Sequence, residues 1–292
     1  MTDLKEASGA PVFDPIYVEA RRVLLDALTA LAPQGAAVIV AGAQAVYLRT
    51  GEADIAVAPY TTDGDLTLDP SLLMDEPALE TVMRGAGFDL EKVDGHAEPG
   101  RWVAPANVAG QHVLIPVDLI VPEAAASGGG TRGARLGAHG KRAARRAVGL
   151  EAVLLDHDPM NVAALDTTDT RSVEVEVAGP AALLVAKVHK LHDRVAGEKA
   201  KRINDKDAAD VFRLMQKTNP DVVGGTLASL AKDEVAGPVT VEAICYIEEL
   251  FGRRGRPGIA MAAQALRIGV PEAQVETLAV SYTERLLSSA LS

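Results

Sequence analysis

Strand patterns occur only in the first part of this sequence, and that distribution limits its fold more than any other feature. Short apolar runs and alternating segments that indicate strands lie at residues 37–41, 63–68, 112–121 and 172–177. After Val177 the sequence shows only helical periodicity. Because strands and helices are segregated in this way, we expect an α/β domain over residues 1–179 and a helical domain over residues 180–292.

The helices are predicted from apolar spacing and from the Pro and Gly residues that end them. Residues 16–31 carry apolar side chains at helical spacing, and Pro33-Gln34-Gly35 ends that segment. A second helix begins at Gly42, and Asp156-His157-Asp158 is expected to form a turn. The remaining predicted helices span residues 76–85, 181–195, 206–216, 222–232, 241–250 and 271–287.

Charge and composition exclude several classes of protein. The net charge of −11 disfavours a chain that is basic throughout, although one local basic face would still bind nucleic acid. Aromatic residues make up only 3%, which argues against RNA recognition by rows of stacked rings. The single Cys245 excludes an internal disulfide framework. The longest apolar run, residues 36–48, is too short to span a membrane, and the N-terminus lacks a signal-peptide pattern, so we expect a cytoplasmic protein.

Two aspartates two residues apart make residues 61–70 the most informative segment. If Asp63 and Asp65 begin a strand, their carboxylates point to the same face, where they repel each other. A divalent cation relieves that repulsion, and hard oxygen ligands favour Mg²⁺. Gly64 between them would leave room for a phosphate. The alternative is a turn, in which aspartate caps the backbone and glycine supplies a positive φ.

A third carboxylate, Asp118, lies inside the apolar strand pattern of residues 112–121. A charged group is almost never buried without a partner, so Asp118 needs a cation, a basic neighbour or backbone amides. Two carboxylates on one strand and a third on a neighbouring strand form the arrangement in which two metal ions clamp a phosphoryl transfer. We therefore predict that Asp63, Asp65 and Asp118 are metal ligands.

Two basic segments stand out in this acidic chain. Lys187 and Lys190 lie three residues apart, on one face of a predicted helix, and are candidates for contact with a triphosphate. A solvated helix face is the alternative. The other segment holds the candidate RNA-phosphate contacts, which would line one helical face: Arg142, Arg145 and Arg146. A solvated loop is the alternative there.

Two histidines share the helix of Lys187. His189 and His192 lie three residues apart, whereas a helical zinc pair normally uses a spacing of four. We therefore expect them at the surface or in contact with RNA.

The segments VIVAGAQAVYLRTG, TTDGDLTLDP and VDLIV together resemble the nucleotidyltransferase fold of the DNA polymerase β superfamily. Gly42 and Ala43 match its Gly-small pair at a helix start, although the family more often has Gly-Gly or Gly-Ser. The resemblance implies an α/β (α+β) domain with a mixed sheet. It also implies that Mg²⁺ is the cofactor and that Gly42 and Ala43 lie against the nucleotide.

The segment AALLVAKVHKLHDRVAGEKAKRINDKDAADVFRL resembles the K…R…KDxxD block of the AbiEii/MenT nucleotidyltransferase toxins of toxin–antitoxin systems. In that family a helical lysine and an aspartate complete the active site. Lys187 matches the lysine best, and Lys190 is its competitor one turn away. The remaining matches are Arg202 or Lys206, followed by Asp207 and Asp210. Asp207 would either orient Lys187 or act as a general base on the acceptor hydroxyl, and Asp210 would pair with an arginine if it has no catalytic role.

The sequence therefore predicts a magnesium-dependent nucleotidyltransferase that takes a nucleoside triphosphate and releases pyrophosphate. The expected catalytic residues are Asp63, Asp65, Asp118, Lys187 and Asp207. By resemblance, the acceptor is RNA, at the 3′ end of tRNA, and the protein is a toxin restrained by a cognate antitoxin. Two alternatives stay open: a small-molecule nucleotidyltransferase of the aminoglycoside-modifying kind, and a catalytically inactive binding module.

Overall fold

The computed structural model describes residues 13–51, 61–127, 132–197 and 206–292. Its architecture is a mixed sheet formed by the N-terminal part of the chain and a set of helices formed by the C-terminal part, as the sequence predicts. The strands are β1 (Val38–Ala41), β2 (Gly64–Leu68), β3 (Asp89–Val93), β4 (His96–Val108), β5 (Gln111–Pro122), β6 (Arg145–Ala147), β7 (His157–Ala163) and β8 (Ser172–Ala178). The α-helices are α1 (Pro15–Ala30), α2 (Gly42–Thr50), α3 (Leu79–Gly85), α4 (Pro180–Ala196), α5 (Lys206–Lys217), α6 (Pro220–Leu230), α7 (Gly237–Phe251), α8 (Pro257–Leu266) and α9 (Glu272–Ala290).

The sheet has the order β3-β4-β5-β2-β1-β8-β7, and β6 pairs with β5 beside this path. β2 runs parallel to β5 and antiparallel to β1, and β1 runs parallel to β8. The centre of the sheet is therefore formed by β5, β2, β1 and β8, which come from distant parts of the chain. The segments that carry Asp65 and Asp118 are direct neighbours there.

One long helix covers a face of this central sheet. α1 begins with Pro15 after Asp14, whose side chain accepts a hydrogen bond from the backbone N–H of Ile16. Its apolar side, including Leu24 and Leu28, is buried against the sheet. Burial of such side chains contributes about 1.5–3 kcal/mol each, which makes this contact a main source of stability.

The helical part packs directly on the sheet domain. α4 follows β8 after one residue, Gly179, and both α4 and α5 contact α2. Nearly the whole first half of α4 is buried, because it lies between α2, α5 and α7. These contacts bring the start of α2 close to α4 and α5, and the candidate site lies at this junction.

Several elements differ from the sequence predictions. Strands β3, β4 and β6 and helix α8 were not predicted, and the turn expected at Asp156-His157-Asp158 is wrong, because β7 begins at His157. β4 contains Pro99, Gly100 and Pro105, which local rules place outside strands, yet eight residue pairs with β5 from Arg101 to Val108 stabilise the strand across Pro105. None of the helices in the part of the chain that the structure describes is long and apolar enough to cross a bilayer.

Candidate active site at the start of helix α2

The second aspartate of the predicted pair lies against the first residue of α2. Gly42 follows β1 directly and has a φ of 65°, and a Cβ built on it would lie 1.8 Å from Oδ2 of Asp65. The register pairs Ala41 of β1 with Asp65 of β2, which places the two segments side by side. Only glycine leaves this space for the carboxylate, and its backbone conformation is one that other residues adopt at a cost.

Gly64 does not make room for a ligand, contrary to the sequence-based expectation. A Cβ there would lie 3.2 Å from Cδ1 of Leu24 and 3.6 Å from Cγ2 of Val117, so this residue faces the core under α1. Asp63 and Asp65, on either side of it, both line one cavity. β2 begins at Gly64, so Asp63 lies immediately before the strand and not on it as predicted, and the alternation of side chains along this extended segment directs Gly64 inward and the two aspartates toward the cavity.

Asp63 is held by neighbours on two sides. Its Oδ1 accepts a hydrogen bond from the hydroxyl of Thr61, and its backbone carbonyl accepts one from Nε2 of Gln44 at 3.2 Å. The Oε1 of Gln44 accepts in turn from Nε of the buried Arg21 at 2.8 Å. Burial and the nearby charge of Asp65 raise the pKa of Asp63. Sequence reasoning missed Gln44 and Arg21, and the one available signal was that Gln44 interrupts an apolar run.

Asp118 is buried beside Asp65, and a basic partner compensates its charge. The Cα atoms of Asp65 and Asp118 are paired in the parallel ladder of β2 and β5. Nη2 of Arg145 donates to Oδ2 of Asp118 at 2.7 Å, and Nη1 of Arg101 lies 3.6 Å from the same oxygen. Within the described residues, Oδ1 of Asp118 is buried and has no hydrogen-bond partner. Burial raises the pKa of Asp118, and the charge of Arg145 opposes that effect.

Lys187 lies inside a buried ion cluster. Its Nζ donates to Oδ1 of Asp207 and to Oδ2 of Asp210, both at 2.7 Å. Nη2 of Arg194 lies 2.7 Å from the other oxygen of Asp207. Although burial disfavours both charges, the two aspartates raise the pKa of Lys187, and Lys187 keeps the pKa of Asp207 well below its usual range. Burial instead raises the pKa of Asp210.

A cavity of about 240 Å³ connects the aspartate pair to the basic helices. One wall carries the carboxylates of Asp63 and Asp65, and the other carries cationic side chains from α4 and α5. The lining residues are Ala43, Thr61, Asp63, Asp65, Lys187, Lys190, Arg194, Lys206, Asp207 and Asp210. Lys190 is exposed, whereas Lys187 is buried, so the two lysines differ in their access to a ligand in this cavity.

The residues present are suited to a hard divalent cation, because Asp63, Asp65 and Asp118 offer only carboxylate oxygens. The unpartnered Oδ1 of Asp118 is a further unused oxygen ligand. The three side chains are not gathered, however: in the described ranges, no cluster of three His, Cys, Asp or Glu side chains has metal-binding geometry. Asp63 and Asp65 face the cavity, whereas the carboxylate of Asp118 is bonded to Arg145.

The prediction that Arg142, Arg145 and Arg146 line one face of a helix is wrong. Arg145 and Arg146 lie on strand β6, where neighbouring side chains point in opposite directions. Arg146 is paired with Glu123, its Nη2 lying 2.5 Å from Oε1, while Arg145 is paired with Asp118. Arg142, which precedes the strand, is exposed. The structure therefore separates the three arginines into three different environments.

The expectation of surface histidines is wrong for His189. This side chain is buried, and its Nε2 lies 2.8 Å from the carbonyl oxygen of Val239. The ring of His192 stacks on that of Tyr246, with centroids 3.7 Å apart. Arg202, the alternative to Lys206 in the KDxxD match, lies outside the described residues.

Comparison with known proteins adds no family assignment. No protein-family model matches the chain, and no curated protein matches it.

Proposed function

We propose that this protein is a magnesium-dependent nucleotidyltransferase that transfers a nucleotide from a nucleoside triphosphate to an acceptor hydroxyl. The observation that carries the proposal is the cavity with Asp63 and Asp65 on one wall and basic side chains of α4 and α5 on the other. Paired carboxylates attract a divalent cation, and cationic side chains opposite them attract the phosphates that share it. The sequence resemblance supports the same reaction.

The metal would be held by Asp63 and Asp65, with Asp118 as a third ligand, and would stabilise the charge that develops on the transferred phosphate. Lys190 lies at the open side of the cavity and neutralises the triphosphate. Lys206 and Arg194 line the same wall and add to the positive potential there.

Asp207 orients Lys187 rather than acting as a base. A general base works best with a pKa near the working pH. Asp207 does not meet this condition, because its ion pairs with Lys187 and Arg194 keep its pKa low. Lys187 is fixed between Asp207 and Asp210, which compensate its positive charge, and all three residues line the cavity. Its proposed role is to stabilise the pyrophosphate leaving group by charge.

The acceptor in this proposal is RNA, at the 3′ end of tRNA, and the physiological role is that of a toxin with a cognate antitoxin. Both statements rest on the resemblance to the AbiEii/MenT toxins. The exposed Arg142 and the basic cavity wall are the side chains available for RNA phosphates.

A small-molecule acceptor is the second candidate. The net charge of −11 favours a cationic substrate such as an aminoglycoside over a polyanion. The alternative of an inactive binding module requires that neither acceptor is modified.

The test is incubation of the protein with each labelled nucleoside triphosphate, Mg²⁺ and either total tRNA or a panel of aminoglycosides. Label transferred to tRNA supports the main proposal, and label on the drug supports the second candidate. Asp63→Ala and Asp65→Ala should each abolish transfer, with a loss larger than the about 10–100-fold that outer-shell changes cause. Asp69→Ala is the control, because Asp69 is half-buried outside the cavity and its side chain accepts hydrogen bonds from the backbone N–H and the hydroxyl of Ser71. Near-normal transfer by Asp63→Ala would contradict the metal assignment.

A further inference from the structure

Asp118, the third carboxylate of the candidate site, lies next to Asp65 in the sheet but does not line the cavity. Asp65 and Asp118 are directly paired on neighbouring parallel strands, so their side chains leave the sheet on the same face. Asp65 lines the cavity and Asp118 does not. The two aspartates also differ in their partners, because Nη2 of Arg145 donates to Oδ2 of Asp118 at 2.7 Å.

We propose that Arg145 and a divalent cation compete for the carboxylate of Asp118, and that the Arg145–Asp118 ion pair holds this carboxylate while the cation is absent. Arg145 is thus a positioning residue that sets the metal affinity of the site. The inference rests on the proposed function, because it requires a cation at the aspartate pair.

Because Asp118 is buried, its carboxylate needs a positive partner even when no metal ion is bound, and Arg145 provides one. Its side chain is only 4% exposed, and an uncompensated charge at such a site is strongly destabilising. Arg101 is the second neighbour, but its Nη1 is 3.6 Å away and its Nε is engaged with Glu91. Arg145 is therefore the principal counter-charge of Asp118.

The sign of the coupling follows from charge. If Asp118 completes the site as the third ligand, the divalent cation shares that carboxylate with the guanidinium of Arg145, and two positive groups on one carboxylate repel each other. Losing Arg145 removes this repulsion and also releases Oδ2 of Asp118 as a ligand. Both effects act in the same direction, so removal of Arg145 tightens cation binding.

The chain provides a matched control on the same short strand. Arg146 is the next residue of β6 and is paired with Glu123 instead of a site aspartate. Arg145→Gln and Arg146→Gln therefore make the same change of charge one residue apart, and only the first alters the surroundings of Asp118.

The experiment is titration of the full-length protein with Mn²⁺ alone, with free Mn²⁺ followed by electron paramagnetic resonance. Arg145→Gln should lower the dissociation constant at least about fivefold, the lower end of the usual range for coupled binding events. Arg146→Gln should leave it unchanged. An unchanged or weakened Mn²⁺ affinity in Arg145→Gln would overturn the proposal.

A second readout separates competition from a purely structural role. Without metal, Arg145→Gln should lower the melting temperature, because Asp118 loses its nearest partner, and saturating Mn²⁺ should raise it by more than in the wild type. If Arg145→Gln fails to fold, Arg145→Lys takes its place: its weaker ion pair should still give a larger Mn²⁺-induced rise than the wild type. An equal rise in all variants would overturn the proposal.

Two outcomes distinguish an error in the proposed function from an error in the proposed role of Arg145. If wild type and Asp63→Asn show the same absence of Mn²⁺ binding, the proposed function is wrong and the competition with it. If the wild type binds Mn²⁺, Asp63→Asn loses it and Arg145→Gln does not tighten it, only the role of Arg145 is wrong.

Discussion

Gly42 and Asp65 share a space that holds only one side chain, since a Cβ on Gly42 would lie 1.8 Å from Oδ2 of Asp65. The absence of a side chain at Gly42 therefore leaves the space that the carboxylate of Asp65 on β2 occupies. Gly42→Ala should displace Asp65, and transfer activity and Mn²⁺ affinity should fall at least about tenfold. Gly51→Ala is the control, because Gly51 ends the same helix with a φ of 88° and, among the described residues, no atom lies within 4 Å of the added Cβ.

Both variants should lose about 1–2 kcal/mol of stability because each forces alanine to adopt a positive φ, and Gly42→Ala should lose more because its Cβ also displaces Asp65. Only Gly42→Ala should lose activity. Equal activity in the two variants would mean that the contact with Asp65 has no functional importance. Thermal denaturation and the transfer assay measure the two effects separately.

Alanine substitution of Lys187 should lower stability, whereas alanine substitution of Lys190 should raise KM for the triphosphate. Lys187→Ala leaves Asp207 and Asp210 facing each other without their shared cation, and breaking such a buried pair costs about 3–5 kcal/mol. Lys190 is exposed, so Lys190→Ala should change stability by less than about 0.5 kcal/mol while raising KM for the triphosphate. Denaturant unfolding and steady-state kinetics distinguish these outcomes. A Lys190→Ala enzyme with unchanged KM would contradict the proposed contact.

Acid should weaken the protein partly through Asp207. Its pKa is lowered in the folded state, so its contribution to stability is present above the ordinary aspartate pKa of about 3.9 and is lost as the pH falls toward the folded value. Asp210 acts in the opposite direction, because burial raises its pKa. Asp207→Asn should therefore flatten the decrease of melting temperature below about pH 4. An unaltered acid profile would show that the ion pair with Lys187 contributes no net stability.

RNA binding should depend on Arg142 more than on its basic neighbours. Arg142 is exposed, whereas Arg146 is paired with Glu123. If Arg142 contacts a phosphate of tRNA, Arg142→Gln should lower the slope of log affinity against log salt by about 0.7–0.9. Arg146→Gln should change the slope much less. Filter binding of tRNA across a salt series measures both, and absence of salt-sensitive binding in the wild type would favour the small-molecule acceptor.

The sequence alone was enough for the segregation of strands and helices and for the strands that carry the aspartates. Those predictions succeed because apolar periodicity is local: residues 112–121 were predicted as a strand and form β5. β4 was missed because its pairing with β5 spans Pro105, a residue that local rules place outside strands, and the partner strand is not visible in the local pattern. Chemistry that depends on residue type, such as an acidic pair or a basic segment, is equally visible in the sequence.

Only the tertiary structure determined which charged side chains form ion pairs with each other. Asp118 was expected to need a partner, but the choice of Arg145 depends on the pairing of β6 with β5. Likewise, Lys187 meets Asp207 and Asp210 because α4 packs on α5. A sequence specifies the periodicity and the charge of its residues, whereas contacts between distant segments follow from how the elements pack. Such contacts set the environments of Asp65, Asp118 and Lys187.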